Sequence, residues 1–259
     1  MKILVCIKQV PDSFDTLAID EQSCWIIHKP STVFRMNRYD EFALEEALTI
    51  REHFPGTSVH ALSVGQERVS STIRRALEMG ADHGIHILYS PKAYPSPFIT
   101  ASLIASYART NGYDLILTGV MSEDIMACQT GQLIAALLNV PCATSVISME
   151  FLPGENSLEV DREIEGGARL SVSMEMPCVL TIQSGINTPR YPTLSNVMRA
   201  RTQKQELIRA EELCHMEKHE ECIGIRPPDS ASMGTFINGT PGEKAHELIR
   251  ILREKAFVA

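Results

Sequence analysis

The most chemically varied stretch of this sequence is GVMSEDIMACQTGQ, residues 119–132. It holds two acids, a thiol and two methionines between a strand-like run and a helix-like run. At a helix start, free backbone N–H groups and the positive end of the helix dipole favour a phosphate. Gln129-Thr130-Gly131 therefore predicts an anion site, where Thr130 adds a hydroxyl and Gly131 lets the backbone approach. An ordinary threonine cap is the alternative.

Other polar residues follow the first predicted strand or precede the first predicted helix. Lys8 could meet a phosphate, although lysines near surface turns are common. Asn37 and Asp40 precede a helical pattern, so a helix cap is the simpler interpretation and ligand contact is the alternative.

The sequence supports no catalytic centre. Glu123 and Asp124 are adjacent, but no second carboxylate pair accompanies them, so acid–base hydrolysis is not supported. Cys128 has no histidine placed with it in sequence, and the serines lack a nucleophile elbow. Neither a P-loop nor a GxGxxG fingerprint is present.

A cluster of thiols and imidazoles allows two interpretations. Cys214, His215, His219 and Cys222 are residue types that bind zinc, and the two histidines are four residues apart. Their spacing follows no established zinc pattern, so a solvated acid-rich helix is favoured and no metal site is predicted.

The elements that must position these residues alternate between strands and helices. The apolar runs predict strands over 2–7, 58–64, 84–89, 114–118 and 143–149. The helical periodicities cover 40–53, 66–79, 97–110 and 129–138. This alternation predicts a doubly wound α/β fold with a mostly parallel sheet, whose ligand site lies at the carboxyl ends of the strands.

The remainder of the chain has a different texture. Two strand-like runs, 157–163 and 169–174, flank Glu165-Gly-Gly167 as a hairpin and are followed by a strand at 178–183. A polar segment and a last helix over 241–256 follow. We therefore predict an α/β domain over 1–183 and a C-terminal arm over 184–259.

The totals exclude several classes of protein. The 259 residues carry a net charge of -8, which disfavours nucleic acid as a partner. No apolar run is long enough to span a membrane, and no signal peptide is evident. The seven scattered cysteines suggest reduced thiols, and hence the cytoplasm or, in a eukaryote, the mitochondrial matrix.

Several segments in the same order resemble one family. They are KILVCIKQVPD, NRYDEFALEEAL, VHALSVG, RRALEMGADHGIHI, DLILTG with QTGQ, and VDREIEGGARLSVSMEMPCVLTIQSGINTPRYPTLSNVMRAR. Together they resemble the beta subunit of electron transfer flavoprotein over nearly the whole chain.

The resemblance implies one subunit of a heterodimer. The alpha subunit would carry the redox FAD, and beta would hold a structural AMP and dock a flavin dehydrogenase, such as the acyl-CoA dehydrogenases of fatty acid beta-oxidation. Electrons would pass to a quinone oxidoreductase or another acceptor, without substrate turnover on beta. An electron-bifurcating subunit with a second FAD that oxidises NADH is one alternative. A free-standing adenine-nucleotide sensor or hydrolase is another.

The resemblance also implies a nucleotide pocket, and it shifts the interpretation of Asn37 towards ligand contact. The implied cofactor-binding residues are Cys6, Asn37, Arg38, Tyr39, Asp40, Val64, Gly119, Val120, Met121, Ser122, Glu123, Asp124, Ile125, Met126, Ala127, Cys128, Gln129, Thr130 and Gly131. Val120-Met121 and Ile125-Met126 depart from the more polar family pattern. Since a second FAD needs polar contacts, this loss favours AMP.

The resemblance also implies two surfaces that contact partner proteins. In the segment 188–198, Leu194 would anchor in an apolar pocket of the dehydrogenase, with Tyr191, Pro192, Met198 and Arg199 around it. Packing of Leu194 on its own domain is the alternative. Glu163, beside Arg162, would pair with an alpha-subunit arginine, the alternative being plain solvent-facing strand charges.

Overall fold

The computed structural model describes residues 1–12, 18–20, 25–90, 96–152, 156–215, 219–226, 234 and 236–255. The chain divides into two compact units, Met1–Ile225 and Arg226–Ala259. The first unit contains the sheet and all the predicted site residues.

The strands of the described residues are β1 (Lys2–Cys6), β2 (Gln9–Pro11), β3 (Ala18–Asp20), β4 (Trp25–Ile27), β5 (Phe34–Met36), β6 (Ser58–Gly65), β7 (His83–Leu88), β8 (Leu115–Gly119), β9 (Cys142–Phe151), β10 (Ser157–Glu163), β11 (Arg169–Glu175), β12 (Cys178–Ile182) and β13 (Glu206–Arg209). Eight of these strands lie close to predicted positions, whereas β2, β3, β4, β5 and β13 were not predicted. The pairs β2–β5 and β3–β4 are short, antiparallel and separate from the main sheet.

Nine strands form the main sheet, in the order β11-β10-β9-β12-β8-β1-β6-β7-β13. Seven neighbouring strands of this order, β9-β12-β8-β1-β6-β7-β13, pair in parallel. The strands β10 and β11 add an antiparallel hairpin at one edge. Because β6 lies on one side of β1 and β8 on the other, the winding reverses between β1 and β8. Ligands of open α/β sheets bind at such a reversal.

Helices cover both faces of this sheet, which confirms the doubly wound α/β prediction. The helices of the first unit are α1 (Arg38–His53), α2 (Ser70–Met79), α3 (Pro97–Asn111), α4 (Thr130–Leu138), α5 (Leu194–Thr202) and α6 (Ala210–Leu213). The second unit, described by itself, contains α7 (Pro241–Glu254). One apolar core lies under α1 and α2, and a second lies under α3 and α4. The fully buried Leu44 and Ile73 belong to the first core, and Leu103 and Ile134 belong to the second.

Helix boundaries follow local chemistry. Ser96 caps α3 by accepting a hydrogen bond from the backbone N–H of Ile99, with Pro97 as the first helical residue. Gly80 ends α2 with a positive φ of 135°, a conformation that side chains disfavour. In the second unit, Thr240 and Glu243 form a capping box at the start of α7. The last residue of the predicted helix, Ala256, lies outside the described residues.

Gly131 sets how closely α4 packs on the sheet. A Cβ atom at this position would lie 2.4 Å from Thr181 Cγ2 and 2.8 Å from Thr118 Oγ1. The start of α4 can therefore rest directly on β8 and β12 only because residue 131 has no side chain.

Gly131→Ala is expected to lower the free energy of unfolding by about 1–3 kcal/mol, because the added methyl group overpacks this contact. Denaturant unfolding of the full chain measures the change. Gly224→Ala is the matched control, since a Cβ there meets open space. Equal stability of the two variants would contradict the packing role.

Candidate functional site

A cavity of about 490 Å³ opens at the carboxyl ends of β1, β6 and β8. Its walls come from strand ends, from the loop 120–129 and from the first residue of α4. The position is the one predicted from sequence, because β1 and β8 flank the reversal of winding.

Asp40 joins the ends of the two strands that flank the reversal. Its Oδ2 accepts a hydrogen bond of 2.7 Å from the backbone N–H of Lys8, and its Oδ1 accepts one of 3.0 Å from that of Gly119. A Cβ on Gly119 would lie 2.4 Å from Asp40 Oδ1, so this approach requires glycine. Burial raises the pKa of Asp40 to about 7, although hydrogen bonds from Lys8, Asn37 and Gly119 oppose the rise.

Asn37 holds the loop that follows Gly119. It occupies the cap position of α1, but its side chain makes no cap hydrogen bond. Instead, Nδ2 donates to Met121 O at 2.9 Å, and Oδ1 accepts from the backbone N–H of Glu123 at 3.1 Å. The fully buried amide thus fixes the loop backbone, which the interpretation as a simple helix cap did not anticipate.

The charged residues of the loop 120–129 bind to residues outside the loop. Lys8 Nζ donates to Asp124 Oδ1 at 2.7 Å and to Ser122 Oγ at 3.1 Å. Glu123 Oε1 pairs with Arg35 Nη2 at 3.0 Å. The two acids therefore serve as ion-pair partners, which explains their presence in a loop without a catalytic pattern.

The end of the loop presents the start of α4 to the cavity. Gln129 and Thr130 line the cavity, and the backbone N–H groups of the first helical turn have no partners within the helix. Thr130 is the first helical residue, and the cap position belongs to Gln129, whose side chain makes no cap hydrogen bond. This arrangement can bind an anion through backbone donors and the helix dipole.

Most of the predicted cofactor-binding residues meet in this one cavity. Those that line it are Cys6, Asn37, Asp40, Val64, Gly119, Val120, Met121, Ser122, Asp124, Ile125, Ala127, Cys128, Gln129 and Thr130. The remainder lie beside it without lining it, namely Arg38, Tyr39, Glu123, Met126 and Gly131. Burial, and to a lesser extent Asp40, raises the pKa of the Cys6 thiol, which disfavours a reactive thiolate there.

Comparisons with known proteins agree with this architecture. A family profile described as the electron transfer flavoprotein domain matches residues 24–213. The electron transfer flavoprotein subunit beta of Methylophilus methylotrophus is 30% identical, with 98% of each chain covered. The protein of the same name from Bacillus subtilis (strain 168) is 30% identical, with 100% of each chain covered. The protein of the same name from Homo sapiens is 31% identical, with 98% of this chain and 97% of the relative covered.

The chain belongs to the electron transfer flavoprotein beta-subunit family. The resemblance noted from the sequence motifs is thereby confirmed, and membership supports a beta-subunit role in electron transfer by a flavoprotein.

Sequence reasoning missed an aromatic and polar side of the cavity. Trp25, Phe34 and Tyr89 line it together with Gln66 and Arg68. The Arg68 guanidinium lies 4.4 Å from the centroid of the Phe34 ring, a cation–π distance. Gln66 and Arg68 directly follow β6, so the strand-end rule could have found them. The two ring-bearing residues Trp25 and Phe34 lie on strands of three residues, which leave no periodic signal.

The predicted partner surface is exposed. Tyr191 is 89% exposed, Leu194 79% and Met198 55%, and Pro192 between them is half-buried. Packing of Leu194 on its own domain is therefore wrong. Arg199 is engaged on its own domain, where it donates to the backbone carbonyls of two buried residues, Leu77 and Ala81.

Glu163 and Arg162 have separate surroundings. The Arg162 guanidinium donates to Thr144 O at 2.9 Å and to Thr144 Oγ1 at 2.5 Å. Glu163 is exposed and accepts a hydrogen bond of 3.1 Å from Gln183 Nε2. Arg162 thus has a structural role on β9, and Glu163 presents its carboxylate at the surface.

The thiol–imidazole segment forms no metal centre within the part of the chain that the structure describes. Among those residues, no group of three or more His, Cys, Asp and Glu side chains could hold an ion. The His219 ring packs instead against Phe98, with centroids 4.3 Å apart. Residues 216–218, inside the segment for which the sequence favours an acid-rich helix, lie outside the described residues. No helix in the described ranges is long and apolar enough to cross a membrane.

Asp40→Asn is expected to cost about 1–3 kcal/mol of unfolding free energy at neutral pH, because one backbone N–H then faces an amide NH₂ group. The matched control is Asp114→Asn, which alters a more exposed carboxylate that accepts from Lys2 N at the opposite end of β1. A smaller loss is expected there. Denaturant unfolding measures both variants.

Asp40 should also give stability a pH dependence. Its folded-state pKa of about 7 exceeds the unfolded value near 4, so the folded chain keeps a proton that the unfolded chain releases. This stabilisation is complete below about pH 4 and is lost as the pH rises through about 7. Wild-type stability should therefore fall over this interval relative to Asp40→Asn. Parallel curves for the two proteins would contradict the assignment.

Proposed function

We propose that the chain is the beta subunit of a heterodimeric electron transfer flavoprotein. The redox FAD would be held by the alpha subunit or at the interface, where it would supply the chemistry for carrying electrons. These come from flavin dehydrogenases, such as acyl-CoA dehydrogenases, and go to a quinone oxidoreductase or another acceptor. The beta chain has no substrate turnover of its own. Relatives over the full chain, all named as subunit beta, support this role.

We further propose that the cavity of the beta chain holds AMP as a structural nucleotide. Its single phosphate would meet the backbone N–H groups at the start of α4 and the Thr130 hydroxyl. The fit is supported by Gly131, which lets this turn rest closely on the sheet. Asn37 and Asp40 also line the cavity and hold the loop backbone that leads towards α4.

The hydrogen-bond donors in the cavity favour a single phosphate, because its lysine and arginine side chains already have partners. Among the lining residues, Lys8 is already paired with Asp124, and Arg68 donates to Gln9 Oε1 at 3.0 Å while stacking on Phe34. The helix start is then the principal anion site, which suits a phosphate monoester better than a diphosphate.

A second FAD is the alternative, in an electron-bifurcating subunit that oxidises NADH. The aromatic side of the cavity favours it, because Trp25, Phe34 and Tyr89 offer surface for a flavin ring. The apolar Val120 and Ile125, by contrast, provide no polar side chains for a ribityl chain.

The exposed patch of Tyr191, Leu194 and Met198 is proposed to dock the dehydrogenase, with Leu194 as the apolar anchor. Glu163 is proposed to pair with an arginine of the alpha subunit, since its carboxylate reaches the surface. The arm over 184–259 is proposed to pack on the alpha subunit.

The compartment is proposed to be the cytoplasm, or the mitochondrial matrix in a eukaryote. The word mitochondrial appears in the name of a rice relative.

Acid extraction and chromatography of the purified heterodimer should release one FAD and one AMP. The AMP is expected because the cavity offers one anion site. Release of two FADs, with bleaching of flavin absorbance by NADH, would establish the bifurcating alternative instead. Absence of any adenine nucleotide assigned to the beta chain would overturn both.

Leu194→Ala should raise the KM of the dehydrogenase for the flavoprotein by about tenfold or more, because a central apolar anchor loses its pocket contacts. Steady-state assays with a flavin dehydrogenase measure the effect, with nucleotide content checked in parallel. Val33→Ala is the matched control, because Val33 is also an exposed aliphatic residue but lies outside the patch. An equal loss in both variants would argue against Leu194 as the anchor.

A further inference from the structure

Glu123 is tied on three sides although it does not line the cavity. Its Oε1 pairs with Arg35 Nη2 at 3.0 Å, and its Oε2 accepts from the backbone N–H of Arg38 at 3.2 Å. Its own backbone N–H donates to Asn37 Oδ1 at 3.1 Å. The carboxylate therefore binds the residues where β5 is followed by α1, and it does so from outside the cavity.

The neighbours of Glu123 are fastened on the inner side. Asp124 and Ser122 both accept from Lys8 Nζ, at 2.7 and 3.1 Å, and Met121 O accepts from Asn37 Nδ2 at 2.9 Å. Four consecutive residues, 121–124, are thus attached to the segments that bear Lys8 and Asn37. These attachments hold the loop in place as part of the cavity wall.

The next part of the loop bonds back to the preceding residues, since Met126 N–H donates to Ser122 O and Ile125 N–H to Asp124 Oδ1, both at 2.9 Å. Met126 is 61% exposed, and both Met126 and Cys128 adopt positive φ angles, 56° and 53°. The chain then enters α4 at Thr130, where the helix anchors it. Between residue 120 and α4, residues 121–124 are therefore the segment of the loop that these hydrogen bonds tie to β5, α1 and the end of β1, and we call this segment the clamp.

We propose that Glu123 is a positioning residue that keeps this loop closed over the bound nucleotide. It acts through the loop backbone and not through contact with the ligand, so it controls the rate of nucleotide release more than the shape of the pocket. This proposal rests on the proposed nucleotide function of the cavity.

An ordinary surface ion pair would behave otherwise. Isolated exposed pairs add little to global stability, and Arg35 and Glu123 are both partly solvent-exposed. What distinguishes Glu123 is the combination of the ion pair with a hydrogen bond to the Arg38 amide and the reciprocal bond to Asn37. A clamp should alter local opening of residues 120–128 while leaving global unfolding nearly unchanged.

The first experiment is amide hydrogen exchange on the full-length chain in the heterodimer after nucleotide removal. Glu123→Ala should raise exchange of peptides covering 119–129 by about tenfold, because a charged and a backbone hydrogen bond are both lost. Arg35→Met should have a smaller effect, and the double variant should match Glu123→Ala alone, since both single changes remove the same pair. Glu67→Gln, an exposed carboxylate after β6, should change nothing.

Unchanged exchange in Glu123→Ala, or additive effects in the double variant, would overturn the proposal whatever ligand the cavity holds. The second experiment measures release of AMP from the reloaded heterodimer by rapid dilution. Faster release in Glu123→Ala, about tenfold, with the global unfolding midpoint kept, supports the clamp. Loosened exchange together with no AMP binding in the wild type would contradict the AMP assignment while leaving the clamp itself standing.

Discussion

The site depends on one buried carboxylate. Asp40 accepts hydrogen bonds from Lys8 N and Gly119 N, and so connects the ends of β1 and β8, the two strands between which the winding reverses. At such a reversal the following loops diverge to opposite faces and leave a crevice. Because Asp40 lies in the first turn of α1, the same carboxylate also fixes the start of that helix against both loops. The crevice therefore has a defined width before any ligand enters.

A pocket fixed in this way is shaped mainly by backbone. Asn37 holds Met121 O and the N–H of Glu123, while the missing side chain of Gly131 sets the height of α4 above the sheet. Phosphate recognition at a helix start also uses backbone donors. The apolar Val120 and Ile125 are compatible with nucleotide binding for this reason, since the polar contacts do not depend on their side chains.

The sequence predicted the parts of this arrangement that carry a periodic signal. Buried apolar runs gave β1, β6 and β8, and the strand-end rule placed the loop 119–130 at the cavity. It could not tell which loop residues face inward: Glu123 and Gly131 support the pocket without lining it, and Met126 is exposed to solvent. The edge strand β13 was also missed, because it is four residues long and mostly exposed and so has no apolar run.

The same helix that frames the cavity also carries the proposed docking segment. Near its middle, the buried Glu45 accepts from the backbone and guanidinium of Arg190, and Glu52 near its end pairs with Arg190 Nη1 at 2.5 Å. These charge-assisted bonds, with Asn187 Nδ2 donating to Phe42 O, hold the chain just before the exposed Tyr191 and Leu194. A patch mounted on a rigid helix loses less conformational entropy on binding than one on a free loop. Nucleotide and dehydrogenase would therefore be held at two places on a single scaffold, and loosening α1 would disturb both.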